Sequence, residues 1–275
     1  MPRPGLVVAL VLSAWAALGA GGCRGGREAS LGEGDLGGVM TADADPFPVL
    51  DAGSAGYALS FDGMQDYATA ADADFAAAGA AQTVEMWIKY PSVNPAAYTD
   101  LFVARTDTMS GVQIGFHNGL LTVWRVYVDR ILAQAPILPA VNIWHHVAYT
   151  YDPGTKLTAL YVDGTVADSQ GNDTDDRTPT SVWLGTFDGS GRLYTGLMDE
   201  VRVWNVTRTA AQVVADRAHA PPKAVTGLVA YWTFDDTTSG GRVLDASGNG
   251  NTITLGDGFA ERMPSRVVSE APVSP

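Results

Sequence analysis

Thirty carboxylates, four histidines and a single cysteine are the residues of this chain whose types could do chemistry. Two of the acids, Asp199 and Glu200, stand side by side in GLMDEVRVWN, residues 196–205. Val201, Val203 and Asn205 alternate there with Met198, Glu200, Arg202 and Trp204, the period of two of a strand with both faces to bury. A carboxylate inside such a strand needs hydrogen-bond donors, a cation or a metal to offset its lost hydration. His145 and His146 are also strand neighbours, so they point to opposite faces and cannot chelate one ion together; His146 reads as a sheet histidine bonded to the backbone. The run ADSQGNDTDDR, residues 167–177, is rich in oxygen ligands but lacks the order of an EF-hand and reads as a solvated rim loop. Asp245, Asn249 and Asn251 in DASGNGN are explained by Asx turns. No Ser-His-Asp set, zinc spacing or phosphate loop occurs. Trp124 and Trp183 could stack on sugars if they emerge on an open sheet face, whereas core packing accounts for both otherwise.

Composition narrows the partners. A net charge of −13 and a sequence pI near 4.5 argue against nucleic acid and anionic lipid, both of which reward clustered Lys and Arg. With one cysteine there is no internal disulfide, so packing, hydrogen bonds or a metal must hold the fold. Arg3, the apolar run from Leu6 to Leu18 and the small residues that follow have the regions of an export signal over residues 1–22, too short for a convincing membrane span. Ala20-Gly21-Gly22-Cys23 resembles a bacterial lipobox, with Ala20 where that motif usually has Leu. The resemblance implies acylation of Cys23 and a cell-envelope lipoprotein touching the membrane through its lipid alone; ordinary secretion with Cys23 left as a free thiol is the alternative. Residues 23–55, rich in Gly, Ala, Asp and Pro, read as a flexible tether in which Asp43 and Asp45 are solvated linker acids.

The elements that must position any site are strands. YALSFDGMQDYATA reads as a strand, an Asp62-Gly63 turn and a second strand; TVEMWIKY as a strand covered on both faces and stopped by Pro91. GVQIGFHNGLLTVWRVYV is a hairpin turning at Asn118-Gly119, a pair that tolerates positive φ. IWHHVAYTYD, KLTALYVDGTVADS, VWLGTF and RLYTGLMDEVRVWN add further strands. Only one helix is well signalled, where Thr209 and Gln212 have the spacing of a capping box, with Pro221-Pro222 ending it. Many short strands, Gly-rich turns and one short helix near the carboxyl end predict an all-β, antiparallel two-sheet jelly-roll sandwich. It is assigned to residues 56–262, with the tail 263–275 expected to fray.

Taken together, ALSFDGMQDYATA, TVEMWIKY, IWHHVAYTYDPGTKLTALYVDG, VWLGTF and YTGLMDEVRVWNVTRTAAQV resemble, in order, the laminin-G-like jelly roll of the concanavalin A-like lectin and glucanase superfamily. A further family word at residues 227–258, GLVAYWTFDDTTSGGRVLDASGNGNTITLGDG, opens a unit in many relatives but comes last here; it is expected to complete the sandwich, the alternative being the remnant of a lost second repeat. The resemblance implies two facing sheets, an edge calcium ion drawing on Asp62 and Asp199 with Asp66 as a weaker third ligand, and a binding or adhesive role. Glycosidases of the superfamily carry two glutamates on one strand flanking an acid, so that one attacks and the other protonates. Glu85 stands alone and Glu200 has only Asp199 beside it, so no such pattern is present. The expectation is a non-enzymatic, exported module that binds an extracellular glycan or protein, with no nucleic-acid partner and a ligand site unlocated. A purely structural or adhesive surface protein is the runner-up, followed by a glycoside hydrolase with unrecognised residues.

Overall fold

The computed structural model describes residues 56–273, apart from 72–78, 93–97, 107–110, 126–129, 137, 172–177, 223–224 and 238–239. The chain divides into two units, Met1–Phe47 and Pro48–Pro275. The export signal, Cys23, Asp43 and Asp45 lie outside the described residues.

Along the chain run β1 (Tyr57–Asp62), β2 (Ala68–Ala71), β3 (Gln82–Lys89), β4 (Thr99–Arg105), β5 (Gly111–His117), β6 (Leu120–Arg125), β7 (Arg130–Gln134) and β8 (His145–Asp152). Then follow β9 (Leu157–Val162), β10 (Thr165–Gly171), β11 (Ser181–Leu184), β12 (Thr195–Trp204), α1 (Ala210–Ala218), β13 (Leu228–Trp232), β14 (Arg242–Val243), β15 (Ile253–Leu255) and β16 (Ser265–Val268). The first sheet has the order β10-β9-β8-β3-β12-β1-β16, with β13 pairing the far half of β12; the second has the order β14-β15-β2-β11-β4-β5-β6-β7. Among the described residues all pairings are antiparallel, so this is the expected two-sheet sandwich. Its core is the set of side chains that alternate inward from both sheets, such as Val84, Met86 and Ile88 of β3 facing Val112, Ile114 and Phe116 of β5.

Turn chemistry closes the hairpins as the sequence requires. Asn118 and Gly119 take φ of 51° and 78° between His117 and Leu120, and Asp163-Gly164 does the same between β9 and β10 at 52° and 79°. The Asp62-Gly63 turn is different: β1 and β2 belong to opposite sheets, so this turn is the corner at which the chain crosses the sandwich. Thr209 caps α1 with both arms of the capping box, accepting from the Gln212 amide at 3.3 Å while its own amide donates to Gln212 Oε1 at 2.9 Å. The helix lies on the outer face of the first sheet, where buried Val213 packs on Ala148, Ala159 and Tyr161.

Two segments differ from expectation. Residues 265–268, in the tail expected to fray, form β16, pairing Val268 with Tyr57 through to Ser265 with Ser60, and Arg266 donates to the carbonyls of Phe234 and Arg242 at 3.1 and 2.9 Å. The returning strand read from TVADS runs two residues further, through Gln170 and Gly171 of the expected rim loop, to make β10, while 172–177 lie outside the described residues. Residues 227–258 supply β13 to the first sheet and β14 and β15 to the second.

Candidate functional site

The acidic pair lies on a bulge. Between Asp199, opposite Trp87, and Arg202, opposite Glu85, β12 fits two residues against the single Met86, and Glu200 takes φ of 54°. Met198 and Val201 therefore both reach the core, and Asp199 and Glu200 both leave it, which corrects the strict alternation expected from sequence. Outside the core, Glu200 Oε2 accepts from Arg202 Nη2 at 2.6 Å and from the Tyr231 hydroxyl. Glu85, fully buried, accepts from Trp204 Nε1 at 2.7 Å and pairs with His146 Nε2 at 3.4 Å. Burial pushes the Glu85 carboxyl up, yet the neighbouring His146, with Arg202 and Trp204, outweighs it and holds the acid below its ordinary value. His146 Nε2 thus stands beside a carboxylate oxygen without a hydrogen bond to it, where a bond to the backbone was expected. His145 points the other way, towards Tyr90, and bonds Asp163 Oδ2 and the Ala140 carbonyl at 2.7 and 2.8 Å. Burial pulls its pKa down, and Asp163 outweighs that to raise it.

Asp62 and Asp199 are not brought together. Asp62 faces Thr195 across the β1–β12 ladder, and Asp199 lies four residues further along β12, about 13 Å at strand rise. Asp62 Oδ1 takes the amides of Met64, Gln65 and Asp66 at 2.7, 3.2 and 3.4 Å, and Asp66 Oδ2 takes the Asp62 amide at 2.9 Å. Asp199 accepts from the Ser269 hydroxyl and the Glu200 amide, and burial followed by the charge of Glu200 raises its pKa well above the ordinary value. These residues do not fit a shared calcium ion, which needs about six to eight converging oxygens. Among the described residues no group of three or more His, Cys, Asp or Glu is placed to hold a metal. Asp245 bonds the amides of Tyr231, Ser247 and Asn251, and Asn249 and Asn251 bond the carbonyls of β13, so DASGNGN is a structural clasp.

The outer face of the second sheet carries a cluster of aromatic and cationic side chains. Trp124 and Trp183 both project there, alternating with core residues Val123, Val182 and Leu184. Trp124 is only 2% exposed, packed beside His117 and Tyr98 with centroids 5.7 and 6.1 Å away, while Trp183 remains half-buried. From Trp183 a stack of rings and cations crosses β11 and β4. Arg105 lies 5.3 Å from the Trp183 centroid and 5.0 Å from that of Phe187, and Arg192 lies 4.8 Å from Phe187 and 4.7 Å from Tyr98. Beneath it, Arg192 Nη1 donates to Gln113 Oε1 at 3.2 Å and stands 3.9 Å from Asp100 Oδ2, too far for a hydrogen bond. Asp100 is wholly buried with neither oxygen hydrogen-bonded; burial drives its carboxyl up to about 8, against the opposing charge of Arg192. Beside the stack opens a cavity of about 400 Å³, lined by Tyr98, Phe116, Ser190, Arg192, Tyr194 and Thr195 among others. Sequence reasoning reached Trp183 but missed Tyr98, Asp100, Arg105 and Arg192. The one local signal was an aspartate beside Leu101 and Phe102 in a strand.

A two-sheet jelly roll with one covering helix is the lectin-like class of β-sandwich. The chain belongs to the concanavalin A-like lectin/glucanases superfamily, whose laminin-G description matches residues 62–214, more than half its length. Among solved structures, it is similar to a Bacteroides ovatus ATCC 8483 protein described as carbohydrate binding, with 23% identity and a TM-score of 0.63 over 80% of this chain and 62% of that one. The chain thus spans less than two thirds of that protein. It is also similar to the heptameric SAP-like pentraxin of Limulus polyphemus, with 16% identity and a TM-score of 0.51 over 73% and 94% of the two chains. Comparison with curated proteins gives no match.

Proposed function

We propose that this protein is an exported, lipid-anchored and non-catalytic module that binds an extracellular glycan on the outer face of its second sheet. The observation that carries the reading is the stack from Trp183 to Tyr98 beside the 400 Å³ cavity, a size at the lower end for small-ligand sites. Ring edges and planar guanidinium groups side by side on one face suit a sugar, whose hydroxyl and ring oxygens can accept from the guanidinium N–H edge. The described carbohydrate binding of the Bacteroides ovatus protein, which shares the fold, agrees with this reading. Glu85 and Glu200, each occupied by buried partners under α1, leave no pair of carboxylates free to act as acid and nucleophile there.

A glycan array probed with the full chain and with Trp183→Ala tests the proposal. Binding to a restricted set of glycans, weakened at least tenfold by Trp183→Ala, is the expected outcome. Absence of binding to any glycan by folded protein, or capture of a protein partner that Trp183→Ala leaves intact, overturns it in favour of an adhesive role. Release of reducing sugar from β-glucans or galactans, lost in Glu200→Gln, overturns the non-catalytic reading.

A further inference from the structure

The ring faces on the second sheet are not bare. Phe187 has Arg105 and Arg192 at 5.0 and 4.8 Å, Trp183 is covered by Arg105, and Tyr98 by Arg192. A guanidinium held between two rings is fixed in plane, and what it offers a ligand is its N–H edge, a geometry matched to carboxylate. The stack therefore presents fixed cations in place of open hydrophobic platforms.

Arg192 is held from below by an amide oxygen and not by a carboxylate: Gln113 Oε1 accepts from it at 3.2 Å, whereas Asp100 Oδ2, at 3.9 Å, lies beyond hydrogen-bond distance and burial raises its carboxyl to about 8. The nearby ionised acid is Asp188, whose Oδ1 is occupied by the Ser190 amide and hydroxyl and the Gly191 amide and whose charge faces Arg105. The buried groups left without partners under the stack include two donor nitrogens, Arg105 Nε and Gln113 Nε2, together with the Asp100 carboxyl. Arg192 itself has φ of 56°, a conformation bulky residues rarely adopt, and keeps 34% of its side chain exposed at the cavity.

Resting on the glycan reading above, we infer that the ligand is an acidic glycan, a uronate-bearing chain whose carboxylate is bound by Arg192 at the mouth of the cavity lined by Tyr98, Phe116 and Tyr194. The net charge of −13 does not forbid this. Repulsion from acids elsewhere on the surface is screened beyond about 8 Å at physiological ionic strength, whereas a carboxylate touching Arg192 is inside that distance.

Matched polymers test the inference with the full chain: polygalacturonate, its methyl ester, neutral galactan and sulfated galactan, titrated by calorimetry at two salt concentrations. Polygalacturonate should bind at least tenfold more tightly than its ester, more weakly at high salt, with Arg192→Ala removing the preference and Arg192→Lys restoring part of it. An unchanged melting temperature in Arg192→Ala shows that the loss is not unfolding, and if that variant melts lower the ester comparison on wild-type protein decides alone. Equal binding of acid and ester, or tighter binding of sulfated than of carboxylated polymer, overturns the inference while leaving glycan binding intact. No binding to any of the four overturns the inference, while the glycan reading is decided separately by the array.

Discussion

Asp100 is a residue whose surroundings oppose its ordinary chemistry. Burial is the largest influence on its carboxyl, raising the pKa from 3.8 to about 8 in the native state. The folded protein therefore holds a proton that the unfolded chain releases above about pH 4. Stability from this group is fully present below its unfolded value of 3.8 and is lost as pH rises through about 8. Asn has the same shape and cannot ionise. Asp100→Asn should therefore gain on wild type in melting temperature as pH rises from 4 to 8, by several degrees, at about 2–4 °C for each kcal/mol in a domain of this size. A difference that stays constant across that range, followed by circular dichroism, would show that the carboxyl is solvated. Asp199 is raised in the same direction by burial and by Glu200, so its contribution has the same sign.

At the scale of elements, β12 and α1 are joined by buried charge more than by apolar contact. Arg202, 1% exposed, binds Glu200 and the Asp216 carbonyl, and Arg208 grips both oxygens of Asp216 at 2.7 and 2.8 Å while stacking on Trp204. Removing one member leaves the other buried and unpaired, so Arg202→Leu should cost about 3–5 kcal/mol in urea denaturation. Thr209→Ala, which removes only a cap, should cost about 1 kcal/mol; equal effects would mean that the ion network adds nothing. The strands, the Asn118-Gly119 and Asp163-Gly164 turns and the capping box were legible because each is written in a few adjacent residues. The bulge at Glu200 was not, since its cause is the register against Met86 of β3, more than a hundred positions away in the chain. β16 escaped for the same reason: SRVV has no periodic signal long enough to read, and its order comes from β1 and from carbonyls at 234 and 242 held by Arg266. The site was the least legible part. The stack draws on 98, 105, 183, 187 and 192, which become neighbours only when β4 and β11 pair.

For the whole molecule, the jelly-roll unit contains every member of the proposed site, and its first described residue, Gly56, accepts from the Ser269 amide at 2.8 Å, so the chain enters the domain against its own closing strand. The candidate face belongs to the other sheet. The proposed anchor and the proposed recognition face are therefore expected to act independently. Cys23, preceded by Ala20-Gly21-Gly22, is the proposed acylation point, and at about 0.8 kcal/mol per buried methylene two or more acyl chains hold a protein on a bilayer without any spanning helix. Full-length Cys23→Ser should move from the membrane to the soluble fraction on detergent partitioning. Its glycan affinity should stay within twofold of wild type, since no residue from Tyr98 to Arg192 depends on the lipid. Mass spectrometry of the wild-type protein should place the mature amino terminus at a modified Cys23. Equal membrane partition of Cys23→Ser, or a mature terminus elsewhere, would sink the anchor and leave ordinary secretion, and a loss of glycan affinity in the soluble variant would show that the site needs the membrane after all.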